Sequence, residues 1–326
     1  MKTSLLALSL RPLVAALLSA SVCVAMAADP KASQFYEDAL ARFEKKDHAG
    51  AIIQLKNAIK IDRKMLPVHV LLGKALLANK EVVAAEVAFN EALKLGVNRA
   101  EVVVPLANAI LAQGKRQPML DDERLAPAGL PPALRQQMLL LVASAHADLG
   151  RPKESLKAVE EARAIDPAVP DPWLAEVQVR VRARQFTEAL AAADKALALA
   201  PKSAEAIYLR GSVFHAQGNL PQALAAYNQS LTLNPAHLES LLARAGIALD
   251  QRRLGDAKKD LAEARRAQPE EPRALYMGAV IADREGDNKA AKEALTQVVN
   301  LIDTVPIEFM RYQQQVMILG GLSHYG

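Results

Sequence analysis

The chain has 326 residues, of which 51% are apolar and 4% aromatic, and it carries 40 basic against 36 acidic side chains. Without Lys2 and Arg11, near the N-terminus, 38 basic side chains face 36 acidic ones, so the remainder has a net charge of +2. So weak a charge argues against nucleic acid or an anionic membrane surface as the main partner. The single cysteine, Cys23, rules out an intramolecular disulfide.

Residues 1–27 have the pattern of a secretory signal. Lys2 and Arg11 precede the apolar stretch 13–24, and the small residues at and before Ala27 predict cleavage after it. The apolar stretch is short for a permanent membrane span, although an uncleaved anchor is a second interpretation. We therefore expect an exported protein of the periplasm or the outer membrane.

Cys23 lies within this leader and allows two interpretations. As a lipidation site, it would tether the mature protein to a membrane. As an apolar residue of the leader, it would be removed with the signal. Val22, immediately before it, is larger than the glycine or alanine of a lipidation motif, and this difference favours removal.

A period of 34 residues runs from Ala32 to Val305 and divides the chain into eight units. Small residues recur at positions 8, 20 and 27 of the units, where they let two helices approach, and larger apolar residues recur at positions 4 and 24. Proline closes five units at position 32, and glycine opens the turn at position 15 of four units. The units begin at Ala32, Leu66, Ala100, Gln136, Pro170, Ala204, Leu238 and Pro272.

The unit 204–237 shows the repeat most completely. Its signature residues are Gly211, Phe214, Gly218, Asn219, Ala223, Tyr227 and Pro235. This pattern resembles the tetratricopeptide repeat (TPR), a helix–turn–helix unit with the same period. One such unit cannot bury its apolar faces alone, so stacking on its neighbours supplies the core. The sequence therefore predicts an all-α TPR solenoid, an α–α superhelix of eight full repeats and a truncated ninth.

A proline-rich stretch at 127–132 interrupts the third unit and cannot remain helical. We therefore predict a degenerate third unit with a short second helix. The same break suggests an N-terminal array at 28–133, a linker at 134–135, and a second array of units 4 to 8 at 136–305. A decayed repeat that marks no joint between arrays is the other interpretation.

A second interruption follows the eighth unit. Residues 306–313 are out of phase and are interpreted as an insertion, and the frame resumes in a truncated TPR helix at 314–326. A solenoid that stopped there would leave an apolar face open. We therefore expect this chain to be the N-terminal part of a longer protein.

No catalytic, cofactor or metal-binding motif is present in the sequence. A glycine-rich phosphate loop, paired histidines at metal-ligand spacing and a Cys–His arrangement are all missing. His69 and His146 fall in core-facing columns and are expected to be packed rather than to bind a ligand. We predict a protein that is not an enzyme and needs no cofactor.

The concave face offers the best candidates for binding. In TPR arrays, positions 2, 5, 9, 12 and 13 of the first helices line this face. The candidate residues are Tyr36, Lys74, Asn108, Gln178, Arg182, Tyr208, Ser212, His215, Tyr276 and Arg284. Tyr208 and Tyr276, with arginines nearby, have the character of anchors for a peptide or a partner helix. A surface without a ligand is the other interpretation.

Several segments resemble a more particular group, the large TPR-repeat proteins of exosortase/PEP-CTERM systems in Gram-negative bacteria, many of them predicted lipoproteins. These segments are 43–47, 51–58, 71–76, 84–86, 105–107 and 114–115. The resemblance implies a role beside exopolysaccharide synthesis and surface-protein sorting. It implies no catalytic residues.

Three functions are compatible with these observations. The first is an exported interaction scaffold whose partners are proteins or peptides of the cell envelope, including components of polysaccharide export. The second is a substrate-recruiting arm of an envelope enzyme whose catalytic domain follows Gly326. The third is a chaperone-like factor for outer-membrane or secretion components, with transient partners.

Overall fold

A computed structural model describes residues 29–303, which form sixteen α-helices and one 3-10 helix, without a strand in that range. The first helices of the eight pairs are α1 (Pro30–Glu44), α3 (Leu66–Ala78), α5 (Arg99–Ala112), α7 (Pro132–Asp148), α9 (Asp171–Arg182), α11 (Ala204–Ala216), α13 (Leu238–Asp250) and α15 (Pro272–Arg284). The second helices are α2 (His48–Ile61), α4 (Val82–Lys94), α6 (Arg116–Asp121), α8 (Pro152–Ile165), α10 (Phe186–Leu199), α12 (Leu220–Leu233), α14 (Leu254–Ala267) and α16 (Asn288–Asp303).

Each first helix packs against its own second helix, and each second helix packs against the first helix of the next unit. This order confirms the predicted all-α TPR solenoid and its eight helix pairs. The leader with Cys23, the insertion at 306–313 and the truncated helix at 314–326 lie outside the described residues. Among the described helices, none is long and apolar enough to cross a membrane.

The turn inside each pair contains one residue in the left-handed region. Four turns use the predicted glycines, with φ between 71° and 80°. The other four use Lys46, Lys80, Arg184 and Arg252, with φ between 58° and 64°. The left-handed backbone conformation costs free energy at these four residues, because a Cβ disfavours it.

Side-chain size is matched between positions 8 and 24 of a unit. In the second unit, a Cβ added to Gly73 would lie 2.5 Å from Cε1 of Phe89, so only glycine admits this ring. In the fifth unit the sizes are reversed, since Val177 is paired with Ala193, and both are fully buried. The two helices of a unit therefore pack with one large side chain between them, which comes from position 8 of the first helix or from position 24 of the second.

The third unit departs from the pattern at the predicted place. Its second helix, α6, ends at Asp121, and a 3-10 helix at Glu123–Leu125 follows. Arg99 of α5 holds the irregular segment, because its Nε donates to the carbonyl oxygen of Arg124 at 2.6 Å. The same guanidinium donates to the carbonyl oxygens of Ala126 and Ala128. Side-chain hydrogen bonds thus replace the missing half-helix.

The residues at 134–135 lie inside α7 and not between helices. Pro132 begins this helix, where its missing N–H costs nothing, so α7 starts four residues before the repeat frame predicts. One hydrophobic cluster extends from Ala39 of α1 to Ala145 of α7. The core therefore continues without a break through the junction that the proline-rich stretch suggested.

Candidate functional site

A groove of about 600 Å³ crosses three successive first helices, α11, α13 and α15. It is bounded by Tyr208 and His215 on α11 and by Tyr276 and Arg284 on α15. We call it the α11–α13–α15 groove. Its volume lies in the range of pockets that bind small molecules or short peptide segments.

The floor of the groove is apolar and comes mainly from α13. Leu242, Gly246 and Leu249 follow one another at helical spacing and all line it, while Met277 and Val280 of α15 extend the apolar surface. A Cβ added to Gly246 would have no atom within 4 Å. The groove is therefore open at this point because a side chain is missing from the middle of a helix.

One wall consists of packed rings that are tilted against one another. The Tyr208 ring centroid lies 5.7 Å from that of Tyr227 and 5.4 Å from that of His237. Tyr227 is 1% exposed, and its hydroxyl shares a hydrogen bond of 3.3 Å with Nδ1 of His215. Packed rings have few alternative rotamers, so this wall is rigid before any ligand binds.

Both tyrosine hydroxyls of this wall are hard to ionise. Burial, and then the carboxylates of Glu205 and Glu239, raise the pKa of Tyr208 to about 12, whereas Arg273 lowers it by less. Burial also raises the pKa of Tyr227. Both hydroxyls therefore keep their protons to a higher pH than an ordinary tyrosine does.

The two arginines of the groove are engaged by groups of this chain. Arg273 Nε donates to Oε1 of Glu271 at 2.6 Å, and its Nη2 lies 3.8 Å from Oε1 of Glu239. Arg284 Nη1 donates to the carbonyl oxygen of Leu249, at the end of α13, at 2.7 Å. These bonds hold the charged rim in place and leave less of each guanidinium for a ligand.

Half of the residues predicted from the concave columns come together in this groove. They are Tyr208, Ser212, His215, Tyr276 and Arg284. Their common surface follows from the repeat, because positions 5, 9, 12 and 13 of successive first helices face the same side.

Three other candidates lie near the N-terminus, on separate helices. Lys74 of α3 and Asn108 of α5 are exposed, and Tyr36 of α1 is half-buried against the first hydrophobic cluster. They do not line the α11–α13–α15 groove.

The remaining two candidates lie on α9. Gln178 is exposed, whereas Arg182 Nη1 donates to Oδ1 of Asp148 on α7 at 2.7 Å. Asp148 also accepts from Nε of the buried Arg116 at 3.1 Å. The structure thus gives Arg182 a part in joining units 3, 4 and 5.

The selection of candidates by polar and aromatic character missed the floor of the groove. Leu242 and Gly246 occupy positions 5 and 9 of the seventh unit, which are the columns of Tyr208 and Ser212 in the sixth. The signal was therefore present in the column positions. An apolar side chain or a glycine, however, does not by itself suggest binding.

A hydroxyl–imidazole–carboxylate chain lies behind the aromatic wall. Nδ1 of His237 is 3.0 Å from Oγ of Ser240, and Nε2 of His237 is 3.0 Å from Oε2 of Glu205. Ser240 is fully buried, and its hydroxyl donates to Oγ of Ser230, which donates to the carbonyl oxygen of Ala204. This chain of bonds ends on backbone and joins α11, α12 and α13, so its evident role is structural.

Two histidines that the repeat frame assigned to core-facing columns are packed. His69 is 6% exposed, and its Nε2 lies 2.8 Å from the carbonyl oxygen of Arg63. His146 is half-buried, and its Nδ1 has no hydrogen-bond partner within the described residues. Across the same residues, no three His, Cys, Asp or Glu side chains are arranged to hold a metal ion.

Comparison with known proteins gives one family and several structures. The tetratricopeptide repeat model matches residues 174–237 and 242–300, which lie in units 5 to 8. No curated protein matches the chain. Among solved structures, a tetratricopeptide repeat protein from Parabacteroides merdae is 13% identical, with a TM-score of 0.48, and the match covers 91% of this chain and 100% of that one.

Two further solved structures match smaller parts of the chain. TTC0263, a thermophilic TPR protein from Thermus thermophilus, is 17% identical, with a TM-score of 0.47 over 56% of this chain and 99% of that one. YrrB, a TPR protein with an unusual peptide-binding site, is 18% identical, with a TM-score of 0.40 over 58% of this chain and 96% of that one. Likenesses this distant carry no function to this chain. The matched repeats lie in units 5 to 8, and the eight helix pairs have the architecture of a TPR-like helical solenoid.

Proposed function

We propose that this protein is a non-catalytic scaffold that binds a protein or peptide partner in the α11–α13–α15 groove. Tetratricopeptide repeats generally mediate interactions between proteins. The observation that carries the proposal is the groove itself, in which a rigid aromatic wall and an apolar floor face solvent together. Anchoring side chains of a partner bind best on surfaces of this kind, because packed rings lose little entropy on binding.

The proposed partner is a protein of the cell envelope. The leader at 1–27 supports export, and the resemblance to proteins of exosortase/PEP-CTERM systems supports a role in exopolysaccharide production or export and in protein sorting. A lipid tether at Cys23 remains part of this proposal as an alternative to cleavage after Ala27.

Site-specific cross-linking in the native cells tests the binding site. A photoreactive residue replaces Ser212, and a Gly246→Leu substitution fills the groove. The matched control is Gly255→Leu, because a Cβ at this exposed glycine of α14 also has no atom within 4 Å and lies away from the groove. We expect an envelope protein to be cross-linked, to be lost with Gly246→Leu and to remain with Gly255→Leu. Cross-linking that persists unchanged in the Gly246→Leu variant contradicts the proposal.

The envelope role has separate tests. Fractionation is expected to place the protein in the periplasm or with the outer membrane, and Cys23→Ser is expected to release it only if the cysteine carries a lipid. Deletion of the gene is expected to reduce exopolysaccharide or disturb sorting, with rescue by the Gly255→Leu variant and not by Gly246→Leu. A cytoplasmic protein, or rescue by both variants, argues against this role.

A further inference from the structure

Carboxylates outnumber cations at the Tyr208 end of the groove. Glu239 of α13 lines the groove with Tyr208, and Glu205 of α11 bonds to His237, which packs beside that ring. Their side chains are 41% and 40% exposed. Glu271 pairs with Arg273, whose guanidinium also lies 3.8 Å from Glu239. Three carboxylates against one guanidinium leave this end with a net charge of −2, although the whole chain is net basic.

The internal bonds do not use up these carboxylates. Arg273 is held by Glu271 at 2.6 Å, whereas its distance of 3.8 Å from Glu239 is too long for a hydrogen bond. Glu239 accepts no hydrogen bond from a described residue. Glu205 uses Oε2 to accept from His237 and has no described partner for Oε1. Glu239, which lines the groove, therefore keeps acceptor oxygens for a donor there, and Glu205, near its Tyr208 end, keeps Oε1.

The position of these residues in their helices explains only part of the arrangement. Glu205 and Glu239 lie in the first turns of α11 and α13, where the negative charge of a carboxylate interacts favourably with the helix dipole. A first-turn carboxylate achieves this from any side of the helix. Here Glu239 lines the groove together with Tyr208, and Glu205 bonds to His237, whose ring centroid lies 5.4 Å from that of Tyr208.

We propose that the groove binds an extended segment of its partner that presents a lysine or arginine side chain to Glu205 and Glu239. The cation also lies over the Tyr208 ring, where the face of the aromatic system attracts it. A neighbouring apolar side chain of the segment packs on Leu242 and Met277. This inference rests on the proposed function and adds the chemistry of the partner.

The charge at the Tyr208 end of the groove disfavours the opposite kind of segment. An acidic peptide would face the net negative Tyr208 end, and the arginines that could receive it are engaged by Glu271 and by the carbonyl oxygen of Leu249. Like charges that face each other across an interface reduce both the affinity and the association rate. Charge complementarity therefore selects a basic segment.

The test is a selection of random peptides displayed on phage against the purified full chain. We expect the bound peptides to be enriched in lysine or arginine next to an apolar residue. Affinities of the selected peptides are then measured by fluorescence anisotropy. Glu239→Gln is expected to weaken binding about tenfold, as for loss of one charge-assisted hydrogen bond. Gly246→Leu is expected to weaken it by at least about tenfold, and Gly255→Leu to leave it unchanged.

Several results would overturn the inference. They are enrichment of acidic or uncharged peptides, no enrichment at all, or binding that is insensitive to Glu239→Gln. Circular dichroism checks that the variants are folded, and Glu205→Gln replaces Glu239→Gln if the latter is not. If Ser212 still cross-links a partner in a Gly246-dependent way, the scaffold proposal stands while the charge inference fails.

Discussion

Gly73 and Phe89 occupy adjoining space so closely that a Cβ on the glycine would lie 2.5 Å from the aromatic ring. Phe89 is fully buried, so its ring has little room to move aside. We predict that Gly73→Ala destabilises the protein by about 1 to 2 kcal/mol, since overpacking outweighs the gain in helix propensity. Urea unfolding measures the difference.

The same contact predicts a compensating change. Phe89→Leu in the Gly73→Ala background recreates the alanine–leucine pairing of Ala39 with Leu55 in the first unit. The double variant should be more stable than the sum of the two single effects. Gly278→Ala is the control, because its Cβ meets no atom within 4 Å, and it should stabilise by up to about 1 kcal/mol. Additive effects of the two changes contradict the proposed contact.

The four non-glycine turns offer a gain in stability. Arg184 and Arg252 both have φ of 58°, which strains a residue with a Cβ. Arg184→Gly and Arg252→Gly should each raise the free energy of unfolding by up to about 1 kcal/mol. The reverse change, Gly218→Ala, should lower it by a similar amount although its Cβ meets no atom. Unchanged midpoints in thermal unfolding argue against backbone strain in these turns.

Asp148 joins two arginines of very different exposure. The side chain of Arg116 is 4% exposed and that of Arg182 is 58% exposed. We predict that Asp148→Ala costs about 3 kcal/mol, because it removes a carboxylate from a buried guanidinium, whereas Arg182→Ala costs less than about 1 kcal/mol. Denaturant unfolding of both variants provides the comparison. Equal losses of unfolding free energy in the two variants would contradict the larger contribution assigned to the buried Arg116–Asp148 pair.

High pH should destabilise the protein through its aromatic wall. The pKa of Tyr208 is about 12 in the folded chain against an ordinary value of 10.0, mainly because of burial. A raised pKa means that the folded state holds the proton more tightly than the unfolded state does. The resulting contribution to the free energy of unfolding is complete below pH 10 and is lost as the pH approaches 12. Tyr208→Phe keeps the ring and should reduce this alkaline loss. An unchanged pH slope in the variant contradicts the assignment.

Low pH should act through His146. Burial, and then the charge of Arg151, lower the pKa of this histidine below its ordinary value of 6.5, while Glu154 opposes them. The unfolded chain therefore binds the proton first as the pH falls, so stability is complete above pH 6.5 and decreases below it. His146→Leu removes the titration and an imidazole nitrogen without a described partner. Its unfolding free energy should fall less between neutral and mildly acidic pH than that of the unchanged protein.

The helix pairs were predictable because their determinants are local and repeated. Small residues at positions 8, 20 and 27 and the turn residues recur every 34 positions, so the pattern reports packing that is nearly the same in every unit. The proline-rich stretch indicated the short α6 for the same reason. Its replacement by bonds from Arg99 was not visible, since a long side chain reaches carbonyl groups of an irregular segment only in the folded chain.

The sequence by itself determined the TPR solenoid and the columns that face its concave side. Tertiary structure alone decided that Tyr208, Ser212 and Tyr276 share a groove while Arg182 bonds to Asp148. Periodicity records which side of a helix is buried, and this depends on neighbours within one or two turns. A groove depends on the shapes of three units 34 residues apart, including the space left by Gly246, and only the packed superhelix brings those shapes together.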